Sequence, residues 1–200
     1  MMYAHFTSDS VSSFGIATYS IGPEGVKENM IYSAADSIDN TTNPRFNLQI
    51  ESTPTGYKQV IAGMEVQGKT YSLTEEYELV GTAKTTPIDG AWKSIRRYTV
   101  NGKDTAVAEG TQFKIYYASH VVWGGTHIDS AKRQSTAIGF GTFDITGDKV
   151  KEKNEVSSFA SIRGILLDLE IEFKNPDGFK QTITDTDGLK YIEEYQRLKK

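Results

Sequence analysis

Cysteine is absent from the 200 residues, and histidine (3), tryptophan (2) and proline (5) are scarce. Without cysteine the chain has no disulfide, no thiolate metal site and no thiol nucleophile. That absence leaves the compartment open, because many exported bacterial proteins lack the residue too. No uninterrupted apolar run approaches the roughly 18–20 residues that cross a bilayer as a helix. The opening MMYAHFTSDS has no basic region followed by an apolar run, so no signal peptide is read there. A basic excess is missing as well: 26 Asp and Glu against 22 Lys and Arg give a net charge of -4, which gives no reason to expect nucleic acid as a partner. Motifs of the common enzyme classes are also wanting. No Gly-x-Ser-x-Gly elbow, phosphate loop or dinucleotide fingerprint occurs.

The histidines give no metal site. His127 lies in the polar stretch GGTHIDSAKRQ (Gly124 to Gln134), with no His–Asp–Glu cluster at ligand spacing around it. His5 and His120 occupy matching places in two related segments. Strand alternation, however, lines up Phe113, Ile115, Tyr117, Val121 and Trp123 on one face and puts His120 with Lys114 on the other, toward water. No metal and no cofactor are expected.

What the chain does hold is a pattern written twice. FGIATYSIGPEGVKENMIYSA (Phe14 to Ala34) returns as IGFGTFDITGDKVKEKNEVSSF (Ile138 to Phe159). FNLQIE (Phe46 to Glu51) returns as LDLEIE (Leu167 to Glu172), GYKQVI (Gly56 to Ile61) as GFKQTI (Gly178 to Ile183), and YSLTEEYELV (Tyr71 to Val80) as YIEEYQRL (Tyr191 to Leu198). The order is kept and each pair is displaced by about 120 residues, which reads as tandem duplication. Residues 1–80 form one copy, 81–89 (GTAKTTPID) a linker of small residues, and 90–200 the other. Each segment alternates apolar and polar residues, as half-buried strands do. The predicted class is all-β and antiparallel. Strands in up-and-down order with no helical layer bury one face best by curling into a barrel, with a sandwich as the competing arrangement.

The later copy opens on GAWKSIRRYTVNG (Gly90 to Gly102) and closes on EEYQRL (Glu193 to Leu198). A Gly-x-Trp on the first strand with an Arg on the last resembles the lipocalin-like (calycin) barrels. The GTF…VKE…EEYQR order is similar to that of small lipocalin-like domains of uncharacterised, usually exported bacterial proteins. The resemblance implies that Trp92 closes one end of a barrel with Arg197 against its ring, a cation–π contact of roughly 0.5–2 kcal/mol. The earlier copy has no Gly-x-Trp strand, and Leu79 stands where the later one has Arg197. It is predicted to be an incomplete barrel lacking its first strand, with an open edge to be covered by the linker, by the other domain, or by self-association with a second chain through strand pairing.

Inward polar residues then mark the candidate site. Alternation turns Val150, Glu152, Asn154 and Val156 inward and Lys149, Lys151 and Lys153 outward. By the same rule Gln181 with Phe179, and Glu193 with Tyr195 and Arg197, face the lumen. If Trp92 points in, Ser94, Arg96 and Tyr98 share its face, so Arg96 and Arg197 would balance Glu152 and Glu193. The earlier copy repeats Glu28, Gln59, Glu75 and Tyr77 without the arginines, leaving Arg45 or protonation to neutralise it.

The expected function is non-catalytic. A small apolar or amphiphilic ligand would contact Tyr117, Trp123, Phe179 and Tyr195, with Glu152, Gln181, Glu193 and Arg96 holding its polar end. Ala137, Gly139 and Gly141 would leave room for it. The alternative is an interaction module with side-chain-filled barrels that uses its open strand edge for pairing. Location is left undetermined, periplasmic or secreted if further sequence precedes the start.

Overall fold

The computed structural model describes residues 2–7, 10–33, 45–66, 68–79, 81 and 86–199. Within them the alternating stretches are strands, and the helical content is one 3-10 turn at Ala160–Ile162. Among the described residues no helix is long and apolar enough to cross a membrane. The chain divides into two compact units, Met1–Thr7 with Ser12–Thr82, and Ser8–Val11 with Ala83–Lys200.

The earlier unit is a six-stranded sheet in chain order: β1 (Met2–Thr7), β2 (Ser10–Gly22), β3 (Gly25–Ser33), β4 (Arg45–Thr53), β5 (Gly56–Val66) and β6 (Lys69–Glu78). It is open, because β6 does not pair back to β1 among the described residues.

The later unit is a closed barrel. Its strands are β7 (Gly90–Asn101), β8 (Asp104–Val107), β9 (Gln112–Tyr117), β10 (His120–Ile128), β11 (Gln134–Thr146), β12 (Lys149–Ser157), β13 (Leu166–Asn175), β14 (Gly178–Thr184) and β15 (Lys190–Arg197). β7 pairs with β9 through Gly90–Lys93 and with the short β8 through Tyr98–Asn101, while β15 runs antiparallel along its other side. Setting β8 aside, eight strands close in up-and-down order. Closure leaves no edge on those eight strands and buries one face of every strand.

Aromatic side chains fill the closed end. Trp92 is fully buried and donates its indole N–H to the Ile88 carbonyl at 2.8 Å. Its ring meets Phe179 edge-on at 4.7 Å, and Phe179 stacks on Tyr195 at 4.9 Å. The Arg197 guanidinium lies 4.0 Å from the Trp92 ring centroid, and its Nη1 donates to the Asp89 carbonyl at 2.6 Å. Gly90 makes room for this arrangement. Its φ is +136°, and a Cβ there would fall 2.0 Å from Arg197 Nη1. Ile88 belongs to the same buried cluster, so the end of the predicted linker is barrel floor; residues 82–85 lie outside the described ones.

The two sheets share register. Gln59 pairs with Glu75 and Tyr57 with Tyr77, as Gln181 pairs with Glu193 and Phe179 with Tyr195. Both carry a bulge at the same place, between Ile16 and Ala17 and between Phe140 and Gly141. Tyr3 fills the space beside Gly15 as Trp123 fills that beside Gly139. β1 to β6 therefore correspond to β10 to β15. Counterparts of both β7 and β9 are missing among the described residues, one strand more than the repeat pattern predicts.

Candidate functional site: a buried polar chain and the barrel mouth

Five strands, β7, β9, β12, β14 and β15, bring one polar chain through the later barrel. At its deep end Lys114 Nζ donates to Glu152 Oε1 and Oε2 at 2.9 and 3.1 Å and to Gln181 Oε1 at 2.9 Å. The Tyr116 hydroxyl donates to Glu152 Oε1 and lies 3.2 Å from Lys114 Nζ. Gln181 Nε2 passes the chain on to Glu193 Oε2 at 3.1 Å, where the Tyr195 hydroxyl also donates at 2.6 Å. Gln112 Nε2 donates to the Tyr195 hydroxyl at 2.9 Å and reaches Glu193 Oε2 at 3.3 Å. Arg97 completes it, with Nε 3.2 Å from Glu193 Oε1 and Nη1 3.4 Å from the Thr126 carbonyl.

Two cations thus face two carboxylates, and almost every polar group has a partner. That is the condition under which buried charge is tolerated, because desolvation otherwise outweighs the attraction. Tyr116 and Tyr195 are held protonated well above the ordinary phenol range, first by burial and then by the carboxylate beside each.

Glu152, Gln181, Glu193, Phe179 and Tyr195 therefore lie inside the barrel, but as members of its packed interior. Two predicted contacts are corrected. Tyr117 is 53% exposed and faces out. A two-residue turn, with Ala118 and Ser119 at positive φ, pairs Tyr117 with His120 and Tyr116 with Val121. Odd positions on β9 thereby share a face with even ones on β10, so an alternation carried straight through the turn changes sides. The same error hid Lys114, which is 3% exposed and was assigned to the solvent face.

Arg96 is also corrected. Ser94 pairs with Tyr195 and Arg96 with Glu194, so Ile95 is an extra residue on β7. After it the phase reverses: Arg97 turns in, while Arg96 stacks on Tyr98 at 4.6 Å and both stay on the outer face near Glu194. The bulge opposite Phe140 and Gly141, where Glu155 is the extra residue on β12, leaves Val156 exposed where alternation predicted it inside.

The open end holds a cavity of about 290 Å³ lined by Arg97, Gln112, Trp123, Gly125, Thr126, His127, Ala137 and Phe159. Trp123 forms its apolar wall. The ring lies where a Gly139 side chain would be, 2.5 Å from the Cβ position, so Gly139 admits tryptophan rather than ligand. Its indole N–H donates to Asn154 Oδ1 at 2.7 Å, and its face is near-parallel to Phe159 at 6.4 Å. Gly141 likewise leaves no room, since a Cβ there would lie 1.8 Å from the Lys153 carbonyl.

In the earlier sheet Glu28 is 3% exposed and its Oε1 has no hydrogen-bond partner. Gln59 Nε2 donates to Glu75 Oε2 at 3.0 Å. Burial, with Glu75 close by, holds the Glu28 carboxyl above its usual range. Arg45 is exposed and pairs in register with Asn29, on the opposite face from Glu28, so it does not neutralise the acid. The side chain of His5 lies outside the described residues.

The chain matches no protein-family profile and no curated protein. Among solved structures it is similar to a redesigned β-barrel (18% identity, 56% of this chain and 93% of that one, TM-score 0.37). It is also similar to a lipocalin-like protein from Bacteroides uniformis (12% identity, 56% of this chain and all of that one, TM-score 0.37).

Proposed function

We propose that this chain is a non-catalytic binding protein whose later barrel holds a small amphiphile at its mouth, and that its two units arose from one duplicated barrel sequence. The supporting observation is the 290 Å³ cavity bounded by Trp123, Phe159 and Ala137 on its apolar side and Arg97, Gln112 and Thr126 on its polar side. This is near the lower end of the volumes, about 300–1,000 Å³, that hold small ligands. Deeper binding is disfavoured by the interior itself, where Tyr116, Glu152, Gln181 and Tyr195 leave their mutual hydrogen bonds only at the cost of buried unpaired groups.

The polar lining sets the ligand's chemistry. Arg97 uses Nε and Nη1 within the protein and has further N–H groups for an acceptor atom. An acceptor such as a carboxylate or amide oxygen would sit there, with an apolar body against Trp123 and Phe159. A non-catalytic role is supported by the commitment of both carboxylates: Glu152 and Glu193 each accept from more than one donor.

Screening small aliphatic and aromatic carboxylates and alcohols by thermal shift tests the reading. Saturation at about 100 times Kd should stabilise the barrel by about 2.7 kcal/mol. Ala137→Phe, which puts a ring into the cavity, should abolish the shift while the protein still melts cooperatively. An equal shift in that variant would remove the mouth as the site.

A further inference from the structure

Charge at the mouth of the later barrel is unevenly balanced. Arg97 and His127 line the cavity, and no Asp or Glu does. Arg97 already faces Glu193, 3.2 Å from its Nε. The rim carboxylates are engaged as well. Asp129 accepts from Arg133 Nε at 2.7 Å, and Glu109 accepts from Lys132 Nζ at 2.8 and 2.9 Å. Beside the 3-10 turn, Arg163 donates its Nε to the Ser157 carbonyl. His127 is therefore the group whose proton sets the charge an entering ligand meets. Asp129, kept ionised first by Arg133 and more weakly by His127, draws on the same charge.

Strand geometry aims the imidazole at the cavity. On β10 the inward positions run Val121, Trp123, Gly125 and His127, and His127 pairs with Ser135 just beyond the pair of Gly125 with Ala137. Gly125 and Ala137 are too small to fill the space next to it. Arg97 Nη1 lies 3.4 Å from the carbonyl of Thr126, the residue before His127. The two side chains thus flank one space, and Arg97 has N–H groups to spare. His127 is exposed, and no hydrogen bond among the described residues engages its ring. His120, by contrast, sets Nδ1 2.8 Å from the Ala118 carbonyl and stacks on Phe140.

We propose that Arg97 and His127 form an anion clamp across the mouth, so that the ligand is a carboxylate-bearing anion, gripped while the imidazole is protonated and released as it deprotonates. The clamp presupposes that the mouth is the binding site, and it narrows the ligand from any hydrogen-bond acceptor to an anion. Histidine changes charge between about pH 5 and 8. Below its midpoint the clamp carries one net positive charge, because Glu193 offsets Arg97. Above it the carboxylate loses that counter-charge, so binding weakens as pH rises. The imidazole is exposed, which keeps the effect within the range of a surface ion pair, roughly fivefold in Kd.

Benzoate and its neutral isostere benzamide test the clamp. Each is titrated into the isotope-labelled full chain at about pH 5.5 and about pH 8, with the Trp123 indole and the Gly125 and Thr126 amide signals as readout. Benzoate should bind roughly fivefold more tightly at the lower pH, and benzamide equally at both. By linkage, saturating benzoate should raise the His127 titration midpoint, read from its ring protons, by about 0.7 pH unit. His127→Gln should remove the pH dependence and hold benzoate at the weaker value, while His120→Gln keeps the parent behaviour. Equal benzoate affinity at both pH values, an unmoved His127 midpoint, or a dependence that survives His127→Gln would overturn the clamp. The mouth site itself would still stand wherever the Trp123 signal moves. Silence of that signal with both compounds would remove the mouth reading, and the clamp with it. The parent titrations need no variant, so a folding defect in either substitution does not obscure the answer.

Discussion

Lys114 Nζ lies 2.9 Å from Glu152 Oε1, with 3% of one side chain and 2% of the other exposed. The pair is the deepest link in the chain that runs from Tyr116 to Arg97, and it explains how two carboxylates remain inside a small barrel. It also makes the barrel sensitive to losing one partner alone. Lys114→Met should destabilise the later unit by about 3–5 kcal/mol, because Glu152 would remain buried without its cation. Lys114→Met with Glu152→Met should recover most of that loss. Urea unfolding followed by tryptophan fluorescence checks both, and equal stability of the single and double variants would refute the coupling.

At the barrel floor, Gly90 is predicted to tolerate no side chain. Gly90→Ala places a methyl against Arg197 Nη1 at a φ of +136°, so the guanidinium must leave Trp92 or the strand must shift. The expected loss exceeds the roughly 0.5–2 kcal/mol of the cation–π contact, since the hydrogen bond to the Asp89 carbonyl goes as well. Arg197→Ala should account for much of the effect. In that background Gly90→Ala should cost less than in the parent protein, which a double-mutant cycle from thermal unfolding measures.

For the earlier unit the prediction concerns pH. Burial holds the Glu28 carboxyl above its usual range, so between its unfolded and folded pKa values the folded state keeps a proton that the unfolded state has released. Stability therefore falls as pH rises through that window. Glu28→Gln should flatten this slope and leave the unit more stable than the parent near neutrality, with little difference in acid. Unfolding curves at a series of pH values read the slope, and an unchanged slope in the variant would contradict the assignment.

Much of this molecule is legible in its sequence wherever strands run without interruption. Glu152 and Gln181 sit on strands whose alternation holds at those positions, and simple parity turns them inward. Glu193 is reached the same way, because the extra residue at that register break, Ile95, lies on β7 and leaves the alternation of β15 intact. Parity fails at three identifiable points. The two-residue turn at Ala118 and Ser119 exchanged the faces of β9, hiding Lys114 and misplacing Tyr117. The extra residue Ile95 replaced Arg96 by Arg97, and Glu155 turned Val156 outward. Each break depends on register with a neighbouring strand, which is information that one strand's own residues do not carry. The filled interior was likewise illegible, because Gly139 admits either a ligand or the Trp123 ring, and only packing decides between them.

The two tryptophans provide the sharpest test of binding at the mouth. Trp123 donates its indole N–H to Asn154 beside the cavity, and Trp92 donates its own to Ile88 at the floor. In a proton–nitrogen correlation spectrum of the full chain, a small carboxylate selected by thermal shift should move the Trp123 indole signal and the amides of Gly125 and Thr126. The Trp92 indole signal should stay in place. Movement of the Trp92 signal with an unchanged Trp123 signal would put the ligand elsewhere and contradict the account.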